Sequence, residues 1–519
     1  MATATATAPT APRAVATGGV QTNWIVPLAV LIVGSFMSVL DTSIVNVAIP
    51  RMQVDLNAAT DDIEWVVTGY TLALGVIVPL TGWLGMRLGQ TRLYVLAMVG
   101  FALGSALCGL AWNLDTMIAF RVLQAVPGGV LPVVTLILLY QLVPRDKIGA
   151  AMGVYGLGIV VAPAIGPTLG GYLVEYVDWR LIFFINVPVG VIGTVLALIV
   201  FPQIHPTTWP RFDVWGFVTI AYALFAMLLA FSEGEKWGWG GYRILGLFVS
   251  SAFSLALFVV IELEVDNPLL DLRIFKSIAY VQSLLLLGIA ITGLFSGLYF
   301  LPQYLLRVKG LQEFDAGLVL LPASLVLVVL MPIAGQIYDR FGPRYPIALG
   351  LAFMAYGSYL LAQITPSTPN GDIELWLSVR NVGLGLSMMP IITAGVSSLP
   401  PSLTSAGSAM NNVMQRVASS IAIAVFGSMN TSQTAQLIAD RGLLVGEGPQ
   451  ALPRINEARE QGAPGLLGIY QTLRAAVTAQ TYANAFYVVT LMCAGAVLLA
   501  LTTRSGRAKS TGQKAHVEL

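Results

Sequence analysis

The feature that most restricts what this chain can become is a recurrence. From Trp24 to the C-terminal tail, apolar stretches of about 20 residues follow one another, broken only by short Gly, Pro and charged punctuation. A stretch of that length crosses the bilayer core as a helix, because in hydrocarbon every backbone N–H and C=O must find its partner within the segment. Fourteen such runs are counted, centred near Gly34, Ala73, Leu103, Val130, Ile159, Gly190, Tyr222, Phe253, Ala290, Leu325, Phe353, Leu386, Ile421 and Cys493. With 56% of its 519 residues hydrophobic and 10% charged, the chain has too little polar side chain to coat a water-soluble fold. The reading is an all-α integral membrane protein.

Charge and reactive side chains then exclude function classes. Lys plus Arg number 27 against 26 Asp plus Glu, so no basic stripe exists to hold nucleic acid. Cys108 and Cys493 sit alone in separate apolar runs and read as packing residues, and His205 and His516 fall in a loop and a tail. No metal site and no cofactor are expected, and no HExxH, GxSxG or Walker A pattern points to an enzyme. The first 22 residues, rich in Ala and Thr with a single Arg13, lack the charged start and apolar core of a signal peptide and read as a disordered extension.

An even number of spans puts both termini on one side. The loops after even-numbered spans and both tails carry Arg87, Arg92, Arg145, Lys147, Arg211, Arg273, Lys276, Arg340 and Arg344 among others, more than the opposite short loops hold. By the positive-inside bias both termini are cytoplasmic, in a cell (inner) membrane, and the long segment 430–480 is an external loop.

An internal repeat sets the architecture. GWLGMRLGQTR from Gly82 and GQIYDRFGPR from Gly335 share Gly-x4-Arg-x-Gly at an offset of 253. Pro50 matches Pro302 (252), Arg121 matches Arg380 (259), and Ala151–Met152 matches Ala409–Met410 (258). Four pairs in order imply two homologous six-span halves with two spans left over between them, and parallel bundles flanking a cavity are a secondary-transporter plan. The expected division is a tail over 1–22, a first bundle over 23–201, a linker with two spans over 202–276, a second bundle over 277–503 and a tail over 504–519.

Ionisable groups deep in spans are costly, so each is a functional candidate. They are Asp41, Arg121, Arg380 and Arg416. A buried carboxylate facing a guanidinium can be switched between protonated and ionised forms by relative motion, which is what a proton carrier does; the alternative is a structural hydrogen bond near the span's outer end. Arg121 and Gln124 share a helix face, and Asp41 is the only deep acid in the first half, so Arg121 is expected to tune Asp41 or else to bind backbone carbonyls as bundle glue. In the fifth span Gly158, Ala162, Gly166 and Gly170 repeat every four residues, with Pro163, Pro167 and Gly171 beside them, a close-contact seam expected to serve as gate or hinge between the halves. Around a central cavity, Arg380 and Arg416 with Asn411, Asn412, Met388, Met410, Met414, Tyr70, Tyr155 and Tyr299 are candidate lining residues, against lipid or core packing for any one Met or aromatic.

These motifs, together with WVVTGYTLA from Trp65, RVLQAVPGG from Arg121, WRLIFFINVPVG from Trp179 and LDTSIVNVAIP from Leu40, closely resemble the fourteen-span drug:proton antiporters of the major facilitator superfamily, the EmrB/QacA type. The resemblance covers nearly the whole chain. It implies two six-helix bundles plus two spans, export of amphipathic compounds driven by proton entry, Asp41 as the first-span acid and Arg121 as the fourth-span arginine. The EmrB branch further implies a periplasmic adaptor (membrane fusion protein) and an outer-membrane channel in a Gram-negative host. The loop glycines Gly82 and Gly89 with Arg87, and Asp339, Arg340 and Arg344 in the second half, are the expected gating residues. Met86 stands where that superfamily usually has Asp, so a charge-pair lock is expected at the second loop, where Asp339 fills that place, rather than at the first. Three deep arginines against one aspartate suit neutral or weakly acidic lipophiles. Alternatives are an exporter of an endogenous metabolite, peptide or lipid-like compound and, from a different class, a channel or membrane enzyme.

Overall fold

The computed structural model describes residues 24–202, 211–444 and 463–503; the two tails, His205 and His516 lie outside them. Every predicted span centre falls on a helix. The long helices are α1 (Ile25–Asp55), α2 (Asp61–Ile77 and Leu80–Leu88), α3 (Gln90–Gly109), α4 (Leu114–Leu142), α5 (Ile148–Tyr176), α6 (Leu181–Val200), α7 (Val214–Trp237) and α8 (Tyr242–Glu264). They continue with α9 (Ile278–Arg307), α10 (Glu313–Phe341), α11 (Arg344–Leu361), α12 (Asn370–Ser397), α13 (Thr404–Leu444) and α14 (Ala463–Leu501). Eleven of these are long and apolar enough to cross a membrane, and α2, bent by 59° at Val78–Pro79, makes a twelfth as a broken span. The two below that threshold have visible reasons: α11 is only 18 residues long and opens on Arg344, while α13 is punctuated by Asn411, Asn412, Gln415 and Arg416.

The molecule is inside-out relative to a soluble fold. Ile192, Ile199, Phe253, Val329 and Leu498 are exposed, whereas Asp41, Arg121, Gln124, Asn186 and Arg380 are buried. That distribution is stable only where the outer solvent is hydrocarbon.

The repeat read from sequence appears as repeated packing. In the first half α1 packs on α4, α5 and α6, α2 on α4, and α3 on α4 and α6; the same pairings recur eight helices later among α9 to α14. The matched Gly89 and Gly342 end α2 and α10 with φ of 84° and 79°, which explains the last glycine of the shared pattern, since a side chain there would be strained. Between the halves α7 and α8 form a hairpin joined by Ser251 and Ser254 hydroxyls donating to the Ala223 and Thr219 carbonyls, each at 2.8 Å. Its α7 packs on α2 and α13, so it touches both bundles.

One expected loop is mostly helix. Segment 430–480 is expected to be an external loop from the order of the spans, but α13 runs to Leu444 and α14 begins at Ala463. At 41 residues α13 is about 60 Å long, twice the ~30 Å of hydrocarbon. Beyond the apolar part the two helices stay paired through polar contacts, Asn484 Nδ2 donating to Gln433 Oε1 at 3.0 Å and Thr434 meeting Thr481 at 3.3 Å. Polarity ends a membrane span without ending a helix.

Candidate functional site: a buried ion pair and the seam between bundles

The chemistry of the first bundle gathers on one carboxylate. Asp41 on α1 is fully buried, and Arg121 Nη1 on α4 donates to its Oδ2 at 2.6 Å. Gln124 Nε2, one turn along α4, donates to Oδ1 at 3.0 Å while its Oε1 accepts from the same Arg121 nitrogen at 2.9 Å. The expected trio is therefore assembled. Gly104 on α3 makes room for it: a β-carbon there would stand 2.9 Å from Gln124 Cα, so glycine lets α4 approach.

The structure adds partners that sequence reading passed over. Asn186 Nδ2, at the start of the straight part of α6, donates to Asp41 Oδ1 at 3.3 Å and to Ser105 Oγ at 3.1 Å. Cys108, read as a packing residue, has its thiol 3.4 Å from Gln124 Oε1. The signal for Asn186 was present in the quoted WRLIFFINVPVG motif: an amide amid apolar residues in a span needs a polar partner. Losing a hydrogen bond to a charged group costs about 1.5–3 kcal/mol. Asn186→Leu is therefore expected to lower the stability of the purified protein by that amount, read as an earlier unfolding midpoint in detergent.

Tyr70, expected in the cavity, belongs to this site. Its buried ring lies under the Arg121 guanidinium with Cζ 3.8 Å from the centroid, a cation–π contact, and Phe183 is at 5.6 Å.

The second bundle's matching arginine behaves differently. Arg380 is not a cavity residue: it is 1% exposed, its guanidinium donates to the Gly293 carbonyl and, at 3.3 Å, to Ser296 Oγ, and its Nε has no partner. Gly293 is the position 252 residues after Asp41, the offset of the Pro50–Pro302 pair. The repeat has kept the cation and replaced the acid by a backbone oxygen.

Of the other expected lining residues, Tyr155, Met388 and Asn411 are buried. Asn411 Oδ1 accepts from the Tyr280 hydroxyl at 3.2 Å and Asn412 Nδ2 donates to the Ser408 carbonyl at 3.0 Å. Tyr299 is exposed, Met410, Met414, Asn412 and Arg416 are half-buried, and Met414 helps line a cavity of about 220 Å³ with residues of α9, α13 and α14.

The glycine stripe of α5 also needs correcting. Gly158, Gly166 and Gly170 face Ile32, Ser43 and Ile44 of α1, and Ala162 is buried beside them, so the stripe seals α5 to its own bundle. Ser43 Oγ donates to the Pro163 carbonyl at 3.3 Å; Gly171 faces open space, and the Pro167 side chain lies outside the described residues. The seam between bundles uses the preceding turns. A β-carbon on Gly149 would collide with the Gly335 carbonyl, and one on Gly153 would stand 2.7 Å from Pro332 Cα. A helix of 29 residues shows different faces to different neighbours along its length, so one stripe serves α1 and the other α10.

Asp339 closes this seam. Its Oδ1 and Oδ2 accept from the backbone N–H groups of Gly149 and Ala150, each at 2.9 Å. The carboxylate expected in a second-loop charge pair instead caps a helix N-terminus, where backbone donors are otherwise free. Arg340 is exposed, Arg344 opens α11, Arg87 lies over the Trp83 ring at 5.3 Å, and Gly82 has open space before it. Asp339→Asn is expected to weaken closure about fivefold, since a charged acceptor at a helix N-terminus contributes on the order of 1 kcal/mol. Its check is the rate at which a membrane-impermeant maleimide labels a cysteine at Met331, buried in the seam.

Both contact sets, α5 on α10 and α13 on the second part of α2 and on α4, lie at the end of the molecule where the arginine-bearing loops gather. The bundles are thus closed at that basic end. A profile of the Major Facilitator Superfamily matches residues 31–423. The chain belongs to the Major Facilitator Superfamily. Within it, the chain is 31% identical over 444 residues to the tetracenomycin C resistance and export protein of Streptomyces glaucescens, covering 85% of this chain and 82% of that one. It is 33% identical over 413 residues to a multidrug resistance protein B homolog of Mycobacterium tuberculosis, covering 78% and 76%. The solved structure of the proton:xylose symporter XylE superposes with a TM-score of 0.59 at 13% identity, covering 90% and 94%, a likeness of fold alone. This superfamily member is a multi-pass membrane transporter and not an enzyme.

Proposed function

We propose that the protein is a proton-coupled antiporter that exports neutral or weakly acidic lipophilic toxic compounds by alternating access. The observation that carries this is the Asp41–Arg121 pair, dry, hydrogen-bonded on both carboxylate oxygens and set inside the first bundle of a two-bundle transporter. A buried ion pair is weak support for stability, because desolvation offsets attraction; its use is to hold a proton in one state and release it in another. Relatives named for antibiotic export and multidrug resistance support the direction of transport. The basic end is assigned to the cytoplasm by the positive-inside bias, which makes the observed closed seam a cytoplasmic one and the cell membrane the location. In a host with two membranes, the paired extension of α13 and α14 is the surface an adaptor would meet.

Charge narrows the substrate. Arg121 is neutralised by Asp41 and Arg380 is sealed inside the second bundle, leaving Arg416 as the half-exposed deep cation without an ion-pair partner among the described residues. A single unbalanced cation repels dications. An anion would load cooperatively with the proton, which is the logic of symport, so the neutral form of a weak acid suits antiport best. Uptake of a neutral lipophile into inverted vesicles is expected to follow an imposed proton gradient. Gradient-driven uptake of a divalent quaternary ammonium compound at a comparable rate would overturn the substrate reading.

A further inference from the structure

Asn186 on α6 stands between two acceptors. Its Nδ2 donates to Asp41 Oδ1 at 3.3 Å and to Ser105 Oγ of α3 at 3.1 Å, and all three side chains are buried. Chemistry decides which way this amide points. A serine hydroxyl has one proton, and Ser105 uses it on the Phe183 carbonyl at 2.8 Å. Toward Asn186 the Ser105 oxygen can therefore only accept, so the NH2 group must face it, and the other N–H of that group is the one aimed at Asp41. The amide cannot turn over without stranding Ser105.

The other partners of the carboxylate are donors as well. Gln124 Nε2 reaches Oδ1 and Arg121 Nη1 reaches Oδ2, while Gln124 Oε1 already accepts from the same Arg121 nitrogen. A neutral carboxyl has a proton of its own to donate, and this shell meets it with donors. Among the described residues the titratable or charged groups around Asp41 are Tyr70 on α2, Cys108 on α3 and Arg121 on α4. From α5 come glycines and the Pro163 carbonyl, and from α6 the neutral Asn186.

We propose that Asn186, oriented by Ser105, is a positioning residue that sets the pH at which Asp41 exchanges its proton. A hydrogen bond made to the charged form favours that form, so a donor locked in place delays proton uptake until protons are abundant, and its loss moves uptake to higher pH. Ser105 has no contact with the acid; it acts through the amide alone. The inference rests on Asp41 being the proton carrier.

The test follows the infrared carbonyl band of a protonated carboxyl in the purified full chain as pH is varied, the Asp41 contribution being the part lost in Asp41→Asn. In the same variants, uptake of the neutral dye Nile red into inverted vesicles is measured against lumenal pH. Asn186→Leu and Ser105→Ala are each expected to move both midpoints upward by about 1–2 pH units, the size of one hydrogen bond to a charged group. The double variant should move them no further than Asn186→Leu alone, because the two residues form one chain. Ser254→Ala removes another hydroxyl that donates to a carbonyl at 2.8 Å, in the α7–α8 hairpin, and should leave both midpoints at the parental pH. Ser105→Ala deletes a single oxygen, which keeps the test decisive if Asn186→Leu misfolds. Parental midpoints in Ser105→Ala or in folded Asn186→Leu, additive shifts in the double variant, or an equal shift in Ser254→Ala overturn the proposal. If no band is lost in Asp41→Asn, or that variant keeps uphill export, the proton-carrier reading fails instead.

Discussion

Asp41→Asn is expected to reduce proton-driven uphill export to background while substrate binding persists. Asparagine keeps the shape of the side chain and can still meet Gln124 and Asn186, but it cannot carry a proton between states, and it strands the Arg121 charge in a dry site. Removing one member of a buried pair costs roughly 3–5 kcal/mol. That penalty separates stability from coupling: the double variant Asp41→Asn/Arg121→Gln removes both charges and should regain most of the thermal stability while leaving uphill transport absent. The measurements are the unfolding temperature of the purified protein and dye efflux from vesicles under an imposed pH gradient. Gradient-driven pumping by Asp41→Asn at the parental rate would sink the proton-carrier mechanism.

Gly149→Val is expected to hold the basic end open. The first β-carbon already collides with the backbone of Gly335, and backbone cannot swing aside as a flexible side-chain tip can. Overpacking of this kind costs about 1–3 kcal/mol. Because the contact exists only in the closed state, the whole cost falls on closure, a shift of about 5–150-fold toward the open form. Labelling of the Met331→Cys reporter should accelerate by that factor and export should fall in step, with little change in the unfolding temperature. Gly158→Ala, by contrast, strains α5 against Ile32 of its own bundle and should lower stability without changing the reporter. Equal effects from both glycines would contradict the assignment of the two stripes to different neighbours.

The contrast between those glycines shows what sequence carries and what it does not. Spans, the two-half repeat and the deep ionisable residues were legible because each is a local pattern with a solvation cost: an apolar run of bilayer length, a glycine at positive φ closing α2 and α10, a charge amid hydrocarbon. Asp41 was the one deep acid the first half offered Arg121, with backbone carbonyls as the alternative, and the packed helices chose the acid. The sequence by itself therefore determined that this chain lives in a bilayer as two related bundles, and named the acid and cation of the first that could meet.

Only the tertiary structure decided which face of a helix meets which neighbour. The pattern Gly-x3-Gly states that something comes close without naming it, so the stripe at Gly158–Gly170 is expected between the bundles whereas Gly149 and Gly153 are the glycines that face α10. Arg380 has the same spacing logic as Arg121, yet with Gly293 at the acid's position its guanidinium turns to a carbonyl, a difference visible only once α9 and α12 are packed. Asp339 is a helix cap rather than half of an ion pair because α5 happens to begin opposite it, 189 residues away in sequence. Burial cost is a property of one residue in one solvent and can be read along a line; partner choice is a property of two surfaces, and those exist only after the helices have assembled.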